Sequence, residues 1–132
     1  MLFPTKEDVE FFSQPEVREF FGARWEPKVG DWAYNHRYGT GVMFHPYFGT
    51  LVFENVIHDC PQGELILLPR PDQLEEMLEG KGYDWAVERN TIVLEPGYVV
   101  MTWYVDDPDQ KRGEYEGSTS AIALASALME IG

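Results

Sequence analysis

The stretch GYVVMTWYV, residues 97–105, decides the fold. Every second side chain, Val99, Met101 and Trp103, is apolar, and the set between them is mostly apolar or aromatic as well. Successive side chains of a β-strand point to opposite faces of a sheet, so this alternation indicates a strand. We therefore expect residues 97–105 to form a central strand.

Further strands are expected where aromatic and β-branched residues run between glycines and prolines. These runs cover residues 31–35, 41–44, 50–54, 64–68, 85–89 and 91–95, and residues 114–116 can return beside the central strand. Turn-forming residues separate the first four runs, which indicates an antiparallel meander. Residues 106–113 are polar and are expected to form a loop.

Helices are expected at both ends of the chain. Thr5 is placed to cap a first short helix, and Ser13 with Glu16 has the spacing of a capping box for a second. Near the C-terminus, Ser118 is expected to cap a helix rich in alanine and leucine.

A further helix is expected in the middle of the chain, where Pro71 begins a segment with one apolar and one acidic face. Its leucines share one face, whereas Glu75, Glu76 and Glu79 cover the other. The sequence therefore predicts an α+β fold in a single domain, residues 1–132. Its parts are a mainly antiparallel sheet of about six strands, short N-terminal helices, the acidic helix and a C-terminal helix packed on the sheet.

The charge balance of the chain is strongly acidic. The chain carries 23 aspartates and glutamates against 10 lysines and arginines, a formal net charge of -13. Such a field repels nucleic acid and anionic membranes, and it favours basic partners. The single cysteine, Cys60, cannot form an internal disulfide, and we see neither a leader nor the roughly 20 apolar residues of a membrane span. These features predict a cytoplasmic protein with no direct nucleic-acid or membrane partner.

Residues with catalytic or metal-binding chemistry are few. His58 and Cys60 are the only close pair of nucleophile or soft-ligand candidates, and His36 and His45 lie elsewhere. A zinc site needs three or four converging ligands, and a cysteine nucleophile needs a nearby base. The aspartates at 106–109 lack the spacing of an EF-hand. We predict no catalytic residue, metal site or cofactor, and we interpret His58 and Cys60 as incidental polar residues at a strand end.

Two alternatives to a non-enzymatic protein stay open. One is a small enzyme that uses Cys60 or His58, and the other is a small-ligand site among Trp25, Trp32, Trp85 and Trp103. Aromatic residues at this density more often build a core than a pocket. The lack of a convergent catalytic set in the sequence therefore favours a protein that is not an enzyme.

The run GDWAY, residues 30–34, followed by HRYGTGV, residues 36–42, resembles the first hairpin of small SH3-like β-barrels. Tudor-like modules attached to some helicases and transcription regulators belong to this group. The resemblance implies a module that binds protein or nucleic acid, and the acidic charge disfavours nucleic acid. A plain hairpin explains the same glycines through backbone conformation alone.

Two later segments, LPRPDQLEEM at residues 68–77 and AIALASAL at residues 121–128, resemble small uncharacterised proteins of bacteriophages and prophages. In these proteins a proline-arginine turn leads into an Asp-Gln-Leu helix, and an alanine-leucine helix closes the chain. The resemblance implies a phage or prophage origin and no particular activity.

The leading hypothesis is a non-enzymatic phage-type accessory or protein-interaction protein. In one form of it, the carboxylates of Glu75, Glu76 and Glu79, with those of the N-terminal helices, imitate a phosphate backbone and inhibit a basic host protein. The competing explanation is that acidic faces only keep the protein in solution.

Overall fold

The structure, a computed structural model, describes residues 3–24, 26, 28–45, 50–53, 56–60, 62–90 and 97–132. Contacts between residues divide the chain into two units, Met1–Pro69 and Arg70–Gly132. The N-terminal unit contains α1 (Lys6–Phe12), α2 (Pro15–Arg24), β1 (Trp32–Asn35), β2 (Gly39–His45), β3 (Thr50–Phe53), β4 (Val56–Asp59), a 3-10 turn (Gln62–Glu64) and β5 (Ile66–Leu68). The C-terminal unit contains α3 (Pro71–Gly80), β6 (Tyr83–Asn90), β7 (Gly97–Tyr104), β8 (Asp107–Gly117) and α4 (Ser120–Ile131).

The first helix is capped as predicted. The Thr5 hydroxyl accepts the Asp8 backbone N–H at 3.3 Å, and the Asp8 carboxylate accepts the Thr5 backbone N–H at 2.8 Å. This exchange satisfies two backbone donors at the helix start. The capping box predicted from Ser13 and Glu16 is wrong, because the Ser13 hydroxyl donates to the Val9 carbonyl at 2.5 Å and so belongs to the end of α1.

Strands β1 to β5 form one antiparallel sheet in the order β4-β3-β2-β1-β5. Asn35 and Gly39 close the β1–β2 hairpin, and the Asn35 side-chain oxygen accepts the Arg37 and Tyr38 backbone N–H groups at 2.8 and 3.3 Å. Gly39 has a φ of +88°, which a residue without Cβ adopts at little cost. The fifth strand returns to the first after the 3-10 turn, so β1 lies between β2 and β5.

Strand β4 is an addition to the predicted strands, and β5 is shorter than its predicted run. Glu64 lies in the 3-10 turn, so β5 begins only at Ile66. The guanidinium of Arg18 on α2 donates to the carbonyl of Gly63, and to that of Leu65 at 3.3 Å. These bonds attach the helix to the turn, and β5 covers only Ile66–Leu68.

The core of the N-terminal unit has a helical part and a sheet part. Helices α1 and α2 both pack on β5, and the rings of Phe12 and Phe21 lie 5.5 Å apart in an edge-to-face arrangement. On the sheet, Ala33, Met43 and Cys60 are buried in one cluster with neighbouring apolar residues. Both groups of apolar residues belong to the N-terminal unit.

The C-terminal unit is a three-stranded antiparallel sheet in the order β6-β7-β8. Helix α4 packs on β7 and β8, and α3 packs on β6 and on α4. Strand β7 is central, as the alternation in residues 97–105 predicts. The predicted strand at residues 91–95 lies outside the described residues.

The polar loop predicted at residues 106–113 is wrong, because Asp107 already begins β8. The turn is confined to Val105 and Asp106, and β8 then pairs with β7 through two register shifts, one on each side of Trp103. Irregular pairing of this kind accommodates extra residues in one strand without ending the sheet. Long-range pairing with β7 thus overrides the local preference of a polar segment.

The closing helix begins one residue later than predicted. The Thr119 hydroxyl, and not that of Ser118, accepts the Ile122 backbone N–H at 3.1 Å. Seven of the twelve residues of α4 are buried, among them Leu124 and Leu128, which are fully inaccessible. The predicted helix packed on a sheet is confirmed.

The α+β class is confirmed, with helices at both ends and one in the middle of the chain. The described strands number eight and lie in two antiparallel sheets, where about six strands in one sheet were expected. Periodicity identifies a strand but not its partners, so the division into sheets could not be derived from it. The single domain at residues 1–132 stays a prediction.

Candidate acidic interaction surface

The predicted acidic face of α3 is present and exposed. Leu74 and Leu78 are fully buried, whereas Glu76 and Glu79 face solvent. Asp72, in the first turn of the helix, is also exposed and pairs with the Arg70 guanidinium at 3.2 Å. The helix is amphipathic, as its sequence predicts.

Glu75 differs from the other two glutamates of the predicted face because it is partly buried. Burial raises the pKa of its carboxyl above the ordinary value of 4.5, and the nearby carboxylates of Asp72 and Glu79 raise it further. A hydrogen bond from the Trp85 side chain opposes this shift. Glu75 therefore belongs to the contact between α3 and β6.

Replacement of Glu75 by glutamine is expected to leave the protein at least as stable as the wild type at neutral pH. The folded state raises the pKa of Glu75, so it binds the proton more tightly than the unfolded chain and loses stability as pH rises above 4.5. Glutamine is neutral and its amide oxygen can still accept the Trp85 donor.

Urea denaturation of the wild type and of Glu75→Gln at neutral pH and near pH 4.5 measures this effect. Any advantage of the variant should shrink as the solution is acidified. Glu79→Gln is the matched control on the exposed face. An advantage of Glu75→Gln that grows toward acid would contradict the assignment.

The two faces of the C-terminal sheet have different surroundings. Val100 and Thr102 of β7 are fully buried and point toward the helices. The alternate residues Val99, Met101 and Trp103 point to the opposite face and are only partly buried. We call these three residues the β7 stripe. Among the described elements of this unit, none packs on that face.

Carboxylates flank the β7 stripe on both neighbouring strands. Val99 is paired with Glu88 of β6 and Glu116 of β8. The other cross-strand neighbours of the stripe are Ala86 and Glu114 at Met101, and Asp84 and Lys111 at Trp103. The four carboxylate residues, Asp84, Glu88, Glu114 and Glu116, are exposed. We call them the flanking carboxylates.

The flanking carboxylates were missed in the sequence, although a signal for them was present. Asp84 and Glu88 are four residues apart in β6, and Glu114 and Glu116 are two residues apart in β8. The alternation of side chains along a strand places each pair on one face of its strand. Only the pairing register shows that both pairs share the face of the β7 stripe.

The described residues show no catalytic or metal site that contains the candidates His58 and Cys60. Cys60 is 2% exposed and packs with Ala33 and Met43. His58 lies in β4 opposite Leu51, and its side chain is outside the described part of the structure. Within that part, no group of three or more histidine, cysteine, aspartate or glutamate residues could hold a metal ion.

The two tryptophans of the C-terminal unit, Trp85 and Trp103, lie on opposite faces of its sheet. Trp85 is paired with Thr102 and so faces the helices, whereas Trp103 belongs to the β7 stripe on the other face. Trp32 lies in β1 of the N-terminal unit, and Trp25 is outside the described residues. A shared ligand pocket between Trp85 and Trp103 is thereby excluded.

Comparisons with protein-family models, with curated proteins and with solved structures find no match for this chain. Among the described residues, no helix has the length and apolar character needed to cross a membrane.

Proposed function

We propose that this chain is a non-enzymatic accessory protein of phage or prophage type that binds a basic host protein in the cytoplasm. The observation that carries the proposal is the β7 stripe between the flanking carboxylates. An apolar strip bordered mainly by carboxylates has the composition of an interface, with an apolar centre and a charged rim. The competing explanation, that carboxylates on the edge strands β6 and β8 only oppose aggregation, predicts no specific basic partner.

Charge alone does not select the binding surface of this chain. Exposed carboxylates lie on both sides of the C-terminal sheet. Those of α3 are on the helix-covered side, and the flanking carboxylates are on the side of the β7 stripe. Asp8 in α1 is buried and caps its helix, so its carboxylate has a structural role and does not contribute to an exposed acidic face. The distribution supports general attraction of basic proteins by the whole acidic field, with the specific contact made at the β7 stripe.

Inhibition follows if the bound surface of the partner is one that otherwise holds phosphate. Several carboxylates presented together offer lysine and arginine side chains the same acceptor chemistry as phosphate oxygens. Individual exposed ion pairs contribute only about 0.2–1 kcal/mol, so several must act together. The apolar stripe then adds contact area that a phosphate backbone lacks.

Capture of bacterial proteins on the immobilised chain tests this function. The wild type should retain basic proteins at low salt and release them as salt rises, because the Debye length falls from about 10 Å at 0.1 M to about 3 Å at 1 M. A variant with amides in place of the four flanking carboxylates should keep its melting temperature and lose the captured proteins. Retention of the same proteins by both chains, or failure of the wild type to retain any basic protein, would refute the function.

A further inference from the structure

We propose that the β7 stripe docks a basic amphipathic α-helix of the partner protein. This inference rests on the proposed function, and it names the surface that binds and the kind of segment that is bound. The stripe offers three apolar side chains in a row, Val99, Met101 and Trp103, which are partly buried in the isolated chain. The flanking carboxylates border the row on β6 and on β8.

The dimensions of the face suit a helix. Alternate residues of a strand are spaced by about 6.6–6.8 Å, and residues four apart on a helix rise by about 6 Å, so the two apolar rows can run side by side. Strands β6 and β8 are separated by two strand spacings, about 9.6 Å, close to the roughly 10 Å diameter of a helix. Cationic side chains on both flanks of such a helix would reach the carboxylates on both outer strands.

Charge complementarity selects a basic helix over other occupants of this face. The stripe is bordered by Glu88 and Glu116 at one end, by Glu114 at its centre and by Asp84 at the other end, where Lys111 holds the opposite register position. Nucleic acid and anionic membranes are repelled by such a border. A second copy docked about a two-fold axis would place two sets of flanking carboxylates against each other.

The probe for this proposal is a synthetic amphipathic peptide of leucine and lysine, about 15 residues long, near the length at which isolated helices become stable in water. Its leucines form one helical face and its lysines border that face. The comparison peptide has the same composition in scrambled order. Binding is measured by fluorescence anisotropy at low salt, and the site is mapped by backbone amide chemical shifts of the full-length chain.

The wild-type chain should bind the amphipathic peptide more tightly than the scrambled peptide, with the largest amide shifts in β7 and beside the flanking carboxylates. Met101→Gln keeps the length of the side chain and removes its apolar character, so it should weaken binding by about tenfold. Glu88→Gln with Glu116→Gln should weaken binding by about fivefold to tenfold. The matched pair Glu76→Gln with Glu79→Gln removes the same charge from α3 and should change the affinity by less than about twofold.

Equal effects of the two glutamate pairs, or amide shifts centred on α3, would overturn docking on the β7 stripe while leaving the acidic binding function in place. Failure of the immobilised wild-type chain to retain any basic bacterial protein would instead refute the function itself. If Met101→Gln does not fold, the exposed pair Glu88→Gln with Glu116→Gln and the shifts of the wild-type chain still decide the matter. Equal binding of the amphipathic and scrambled peptides would also overturn the proposal, because it would show attraction by charge alone.

Discussion

Replacement of Leu124 by alanine is expected to lower the free energy of unfolding by about 2–5 kcal/mol. Leu124 is fully buried at the centre of α4, the helix that packs on β7 and β8. Truncation removes apolar contact and leaves a cavity, because the surrounding backbone of a helix and two strands relaxes only in part. Urea denaturation followed by circular dichroism measures the loss as a lower transition midpoint.

Ser126→Ala is the matched control for this prediction. Ser126 lies on the same helix but is only partly buried on its polar side, so its loss should change stability by less than about 0.5 kcal/mol. If Leu124→Ala unfolds at the same urea concentration as Ser126→Ala, α4 does not anchor the core of the C-terminal unit.

Local structure was predictable where the deciding contacts are local. Thr5 and Asp8 are three residues apart, and the capping box between them needs no other part of the chain. The same logic fails at the last helix, where Ser118 and Thr119 are adjacent hydroxyl residues and capping preference does not choose between them. Errors of one residue at helix ends are of this kind.

Strand pairing was not predictable, because it depends on residues far apart in the sequence. The segment 106–113 has the aspartates, proline and glycine of a loop, yet most of it pairs with β7 in β8. Similarly, the helical pattern places Glu75 among the polar residues of α3, and only the position of Trp85 on β6 shows that it is partly buried. Tertiary contacts overrode local preference at both places.

The candidate site depended on pairing even more than the fold did. The sequence predicted an acidic surface at Glu75, Glu76 and Glu79 because their spacing places them on one helix face. The flanking carboxylates come from two strands, and Glu88 and Glu116 become neighbours of Val99 only through the register of both hairpins. Helix faces can be derived from local spacing, whereas a sheet face requires knowledge of which strands are adjacent.

Gly117→Ala is expected to destabilise the protein by about 1–3 kcal/mol, the usual range for forcing an added methyl group into a packed site. A Cβ atom at Gly117 would lie 2.5 Å from the backbone nitrogen of Ala123 and 2.9 Å from the carbonyl carbon of Ile122. Both atoms belong to the backbone of α4, so the contact can be relieved only by moving the helix away from β8. Thermal and urea denaturation should both report the loss.

Gly80→Ala supplies a control of opposite sign for the Gly117 prediction. A Cβ atom at Gly80, the last residue of α3, meets nothing within 4 Å, and alanine restricts the unfolded chain. This variant should be neutral or more stable by up to about 1 kcal/mol. Both substitutions add the same methyl group, so a difference between them reports the space available at each glycine. Equal stability of the two variants would mean that α4 does not approach β8 as closely at Gly117 as the backbone distances require.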